Sequence, residues 1–226
     1  MQIAKTQFFY FACLLLSVTC MSAHSQMLSK DKPVKFLALG DSYTIGESVA
    51  ELQRWPAQLT QALKADGYTC YNPEILAVTG WRTDDLKHAL AASSLPKDYN
   101  LVSLLIGVNN QYQGKSAADY QTEFEELLDL AIQYAGGDYS KVFVLSIPDY
   151  RFTPFGQAQQ AKTSAEIDAF NAINRSVSKK KNVTYIEITD ISRLGLKDPA
   201  LVAEDGLHPS GKMYRLWVNR ILETIR

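Results

Sequence analysis

Four short stretches of the chain carry groups that could serve one reaction: Gly40-Asp41-Ser42, Gly80, Gly107-Val108-Asn109 and Asp205-Gly206-Leu207-His208. A serine hydroxyl is a poor nucleophile until a base takes its proton, and histidine is the usual base. The histidine in turn needs a carboxylate to fix its tautomer and stabilise the imidazolium. Asp205, three residues before His208, reaches the ring if both share one turn. The other two histidines are weaker candidates, because His24 lies near the N-terminus and His88 falls within a helical pattern. A tetrahedral intermediate also needs donors for its oxyanion. The backbone N–H groups of Ser42 and Gly80 and the side-chain amide of Asn109 are of the right kind. Taken singly, each stretch is ordinary turn chemistry; their joint placement is not.

That placement depends on the elements between them. Val34–Leu39, Glu74–Val78, Leu101–Ile106, Lys141–Ile147 and Val183–Ile188 are short apolar runs rich in β-branched residues, as expected of strands covered on both faces. Helical patterns separate them at Leu52–Ala65, Asp84–Ala92 (with Thr83 as a candidate cap), Ala117–Ala135, Thr163–Lys179 and Pro209–Ile225. Such alternation predicts an α/β protein, a parallel sheet between helices joined by right-handed crossovers. In an open sheet of this kind ligands bind beyond the carboxyl ends of the strands, where strand order reverses. The first three stretches follow the first three strands, and the fourth follows the fifth. With strand order 2-1-3-4-5 the first three become neighbours.

Composition narrows the function further. The chain has 226 residues, a formal net charge of -1 and 46% hydrophobic residues, which suits a single well-cored domain over residues 26–226. Near-zero charge gives no footprint for nucleic acid, and Lys179-Lys180-Lys181 reads as a solvated helix end. Glu123, Glu125, Glu126 and Asp129 read as a solvated helix face. With one usable histidine and scattered acids, no metal or other cofactor is expected. Residues 1–25 have the layout of a secretory signal peptide: Lys5, an apolar core from Phe8 to Val18, then Ala23 and Ser25 as small residues at a cleavage site. Export to the periplasm or medium is therefore expected, in preference to lipid attachment at Cys20. Cleavage leaves Cys70 without an internal disulfide partner, and it reads as a small buried hydrophobe. No obligate protein partner is evident.

Together, Gly40-Asp41-Ser42, Gly80, Gly107-x-Asn109 and Asp205-x-x-His208 resemble the four signature blocks of the SGNH/GDSL hydrolases, in order and spacing across the whole segment after residue 25. The resemblance implies a flavodoxin-like three-layer α/β/α fold and esterase, lipase or thioesterase chemistry. It implies Ser42 as nucleophile, His208 as base, Asp205 as its partner, and Ser42, Gly80 and Asn109 as oxyanion donors. One position departs from the pattern, because Asn110 stands where the family often has Asp. The chain lacks the Gly-x-Ser-x-Gly elbow of α/β-hydrolases.

Six aromatics flank the expected crevice: Tyr43, Trp81, Tyr112, Tyr150, Phe152 and Phe155. The last three fall in or beside the long loop "PDYRFTPFGQAQQ". They suggest an apolar channel for an acyl chain, favouring a small-molecule or lipid ester such as a lysophospholipid, with transient contact at a membrane surface. An aromatic wall also stacks on sugar rings, so a carbohydrate O-deacetylase or O-acetyltransferase with the same triad stands as the alternative. A binding module that has lost catalysis is the third reading, and the intact set of site residues opposes it.

Overall fold

The first strand-forming run is buried at every position from Phe36 to Gly40, and so is the third, Leu101–Leu105, as a sheet packed on both faces demands. The computed structural model describes residues 27–159 and 161–226. The proposed signal segment, with Cys13, Cys20 and His24, lies outside the described residues. Five strands, β1 (Phe36–Gly40), β2 (Glu74–Ala77), β3 (Leu101–Leu105), β4 (Val142–Leu145) and β5 (Thr184–Ile186), form an all-parallel sheet in the order β2-β1-β3-β4-β5. This is the expected α/β architecture and strand order.

Among the described residues nine α-helices lie between and after the strands: α1 (Ser42–Ile45), α2 (Trp55–Ala65), α3 (Thr83–Ala92), α4 (Val108–Tyr112), α5 (Ala117–Tyr134), α6 (Pro154–Gln157), α7 (Thr163–Lys180), α8 (Thr189–Ser192) and α9 (Gly211–Ile225). Helices α2 and α9 pack together, and α3, α5 and α7 pack side by side. The apolar stripe of α5 buries Tyr120, Phe124, Leu127, Leu128 and Ala131. Its acidic face is less solvated than the pattern predicts. Glu125 and Asp129 accept ion pairs from Lys180 and Lys181, and Glu126 pairs with Lys87. The basic run therefore clamps α7 to α5 as well as closing its own helix. Cys70 is half-buried in an isolated bridge to Val34, less enclosed than expected.

Register sets up the site. Gly40 lies opposite Ala77 on one side and Leu105 on the other, so the three strands end level. Gly40 itself has no room for a side chain: a Cβ would come within 2.2 Å of Thr44 Oγ1 and 2.4 Å of the Leu105 carbonyl oxygen. This crowding lets α1 start directly on the end of β1.

Candidate active site

Ser42 is the first residue of α1, and Asp41 is its cap, accepting from the Tyr43 N–H at 3.0 Å. The short helix turns the Ser42 side chain onto the carboxyl edge of the sheet. The Ser42 N–H is an orphan of that first turn. Neither it nor the Gly80 N–H has a hydrogen-bond partner among the described residues. Gly80 sits at φ +85, and a Cβ there would meet nothing within 4 Å. Glycine is thus required by backbone conformation, while the space beside it stays open. Gly107 is needed on both counts, with φ +126 and the Tyr120 ring 2.4–2.8 Å from the position of a Cβ. That turn launches α4 and places Asn109 beside Gly80. One Asn109 amide N–H donates to the Trp81 carbonyl at 2.9 Å, which fixes the amide and leaves its second N–H free.

The fourth stretch returns from beyond β5. A bridge between Val202 and Pro209 and a bond from the Ala203 N–H to the His208 carbonyl (2.8 Å) close a tight loop before α9. Within it Asp205 Oδ1 accepts from the backbone N–H groups of Leu207 and His208, each at 2.9 Å, and Oδ2 lies 2.6 Å from His208 Nδ1. Burial pushes the Asp205 carboxyl up, but hydrogen bonds from Ser48, His208 and those two N–H groups outweigh it and lower it to about 2. An ionised carboxylate only accepts, so Nδ1 carries the ring proton and Nε2 presents a lone pair. The edge of the Tyr43 ring supports the imidazole, with centroids 5.7 Å apart.

Ser42, Gly80, Asn109 and His208 line one cavity of about 200 Å³, together with Tyr43, Thr79, Val108, Tyr112, Tyr150, Phe155 and Leu207. Among the described residues no hydrogen bond joins the Ser42 hydroxyl to His208, although both line this cavity. Four of the six expected aromatics reach the cavity. Trp81 and Phe152 do not. Trp81 contributes its carbonyl and is half-buried against the core, and the Phe152 ring lies under the Arg193 guanidinium, 6.0 Å from its centroid. The first part of the loop after β4 is tied down. Buried Asp149 caps its first turn and pairs with Arg193 at 3.0 Å, and the Phe155 N–H donates to the Gly206 carbonyl at 2.9 Å.

Sequence reasoning missed Glu47, Ser48 and Thr79. Ser48 Oγ donates to Asp205 Oδ2 at 2.7 Å, and Thr79 Oγ1 donates to Glu47 Oε2. The loop after Ser42 thus holds both the Asp205 carboxylate and the strand end carrying Gly80. The positive φ of Ser48 (+63) is invisible in the sequence, and its partner lies 157 residues away.

The fold recurs in solved structures. TesA superimposes with a TM-score of 0.66 at 19% identity, covering 85% of this chain and 98% of its own. The psychrotrophic esterase EstA from Pseudoalteromonas sp. gives 0.65 at 17%, with 84% and 96% covered. Axe2, an acetylxylan esterase from Geobacillus stearothermophilus, gives 0.67 at 18%, with 87% and 96% covered. At such identities the likeness speaks for the fold. No curated protein matches the chain by sequence. The family pattern itself runs through residues 38–216, spanning all four stretches, and the chain belongs to the GDSL-like lipase/acylhydrolase family.

Proposed function

We propose that the chain is an exported serine esterase that cleaves carboxylic esters of short acyl groups through an acyl-enzyme. One observation carries this reading: a hydroxyl, an imidazole and three N–H donors from four distant stretches line a single cavity of about 200 Å³. Ser42 Oγ attacks the ester carbonyl carbon while His208 Nε2 takes its proton. The oxyanion is met by the free N–H groups of Ser42, Gly80 and Asn109, and removing one such donor typically costs about 10²–10³ in turnover. His208 returns the proton to the departing alcohol, and water repeats the sequence to release the acid. Asp205 remains an anion throughout.

The acyl group rests against Val108, Tyr150, Phe155 and Leu207. A volume near 200 Å³ falls below the ~300–1,000 Å³ of sites that enclose drug-sized ligands. This favours short acyl groups over the long chain that the aromatic count suggests. The test is a series of p-nitrophenyl esters from acetyl to palmitoyl, with lysophosphatidylcholine alongside. Activity should peak at two to four carbons, as roughly sized from the cavity, and Ser42→Ala should lose hydrolysis and fluorophosphonate labelling together. A peak at palmitoyl would overturn the short-acyl reading. Wild-type labelling in the alanine variant would overturn the nucleophile.

A further inference from the structure

The esterase reading leaves a second cavity without a role. It holds about 590 Å³ and shares Tyr112 and Tyr150 with the acyl cavity. These two rings meet edge to face at 6.1 Å and form the ridge between the spaces. Tyr150 is buried and serves as wall, whereas Tyr112 is 54% exposed and forms the crest. An ester whose carbonyl sits at Ser42 must lead its alcohol half out of a cavity too small to hold it, and the crest opens onto this larger space.

The floor of the annexe is already ordered. The Tyr150 hydroxyl donates to Gln111 Oε1 at 3.0 Å, Gln111 Nε2 donates to Glu166 Oε2 at 2.7 Å, and Lys162 Nζ pairs with Glu166 Oε1 at 2.8 Å. Gln111 is 7% exposed, so it cannot swing away from this chain without leaving its amide unpaired. Hydrogen bonds from Lys162 and Gln111 hold the Glu166 carboxyl below the usual range, so it stays an acceptor at neutral pH. Lys162 is neutralised by that partner, so among the described residues Lys115 is the single lining cation without a carboxylate, too little charge for a phosphate. A phosphate would call for cations free to meet it. Amide, ammonium, carboxylate and hydroxyl groups alternating beside an exposed aromatic ring suit a neutral ligand with many hydroxyls.

Resting on the esterase reading, we propose that the annexe holds the alcohol half of the substrate, a neutral polyhydroxylated group such as a sugar, stacked at Tyr112 and hydrogen-bonded along Glu166 and Lys162. In the first step the Ser42 Oγ–carbonyl bond forms and the bond from carbonyl carbon to sugar oxygen breaks. That oxygen leaves as a hydroxyl with the proton carried by His208, and the sugar departs through the annexe before water enters.

The test compares kcat/KM on an acetylated xylooligosaccharide with kcat/KM on p-nitrophenyl acetate, whose alcohol half is small and lacks sugar hydroxyls. In Glu166→Gln and Lys162→Ala the ratio of the two should fall about tenfold, as expected for losing one hydrogen-bonding partner worth ~1.4 kcal/mol. An unchanged ratio in both variants overturns the assignment. Calorimetry with deacetylated xylotriose reads the annexe independently of catalysis: binding that weakens in Lys162→Ala supports it, and no binding to the wild type overturns it. Binding of glycerophosphocholine in place of xylotriose also overturns it, in favour of a lipid headgroup. If the wild type hydrolyses no ester at all, the esterase reading has failed, and the calorimetry still decides whether a sugar binds.

Discussion

Ser48 Oγ and His208 Nδ1 meet the same carboxylate oxygen, Asp205 Oδ2, at 2.7 and 2.6 Å. Two donors on one oxygen share its charge, so each weakens the other's hold. Ser48 therefore tempers the pull of Asp205 on the imidazole, and does so from a backbone conformation (φ +63) that non-glycine residues seldom adopt.

Removing the Ser48 hydroxyl should return the whole charge of Oδ2 to His208. In Ser48→Ala the Asp205 carboxyl loses a donor and should rise from about 2 towards its usual range, so the acid limb of kcat/KM is expected to move to higher pH. Ser48→Gly should give the same shifted profile. The two variants should differ in stability, with glycine the more stable by about 1 kcal/mol because the left-handed conformation suits it. A pH–rate profile identical to wild type in both would show that Ser48 does not act on the pair. A profile shifted in only one would assign the effect to backbone strain.

The elements were legible where periodicity speaks loudly. All five strands and the five long helices stand within a few residues of the runs that apolar spacing marks out, because burial dictates both, of two faces in the central strands and of one stripe in the helices. Thr83, read as a cap, is instead the first residue of α3, preceded by Arg82, whose backbone N–H is received by Asp85. Short helices such as α1, α4 and α6 have too few residues for a period to appear, and their existence depends on caps supplied by Asp41 and Thr153 or on the turn at Gly107. The first three candidate stretches could be read because each follows a strand closely, and the fourth, which returns from beyond β5, because of its Asp-x-x-His spacing. Which aromatics face inward could not, since that depends on loop geometry: Trp81 and Phe152 lie beside Gly80 and Tyr150 in sequence and yet turn elsewhere. Pairings such as Glu47 with Thr79 join residues far apart in the chain and leave no local trace.

Asp41, the residue before Ser42, is an acid with little to hold its charge. It is 1% exposed, Oδ1 accepts the Tyr43 N–H, and Oδ2 has no partner among the described residues. Burial raises its carboxyl from 3.8 to about 7 despite that backbone bond. The folded protein thus holds a proton that the unfolded chain releases. Between about pH 4 and pH 7 this group makes the fold less stable as pH rises, and above about 7 its contribution levels off. Each pH unit of the interval is worth about 1.4 kcal/mol. Asn keeps the capping oxygen and cannot ionise, so Asp41→Asn should gain several kcal/mol on the wild type between pH 4 and pH 7. Urea denaturation at both pH values measures this as a difference between the proteins, which cancels the other carboxylates. Parallel stability curves for the two proteins would rule it out.

Asn110 stands where relatives often carry Asp, and a count of donors explains the exchange. Its Oδ1 accepts the Thr83 N–H at 3.1 Å, and its Nδ2 donates to Thr83 Oγ1 at 2.6 Å. The Thr83 hydroxyl is thereby free to give its single proton to Glu123 Oε2. The relay runs one way, from amide to hydroxyl to carboxylate, and it joins the stretch bearing Asn109 to α3 and α5. An Asp at 110 removes the donor at its head. Thr83 then has one proton for two carboxylates: either the buried carboxylate at position 110 keeps the Thr83 N–H as its one donor, or the half-buried Glu123 loses the hydroxyl it had. Asn110→Asp should therefore cost ~1–3 kcal/mol in stability at neutral pH. Glu123→Gln restores a donor at the other end and lets the relay run backwards, from Gln through Thr83 to Asp. The double variant should consequently recover most of the loss, with a coupling above ~1 kcal/mol in the cycle. Additive losses from the two changes would mean that Asn110 is chosen for its shape or for the oxyanion site alone.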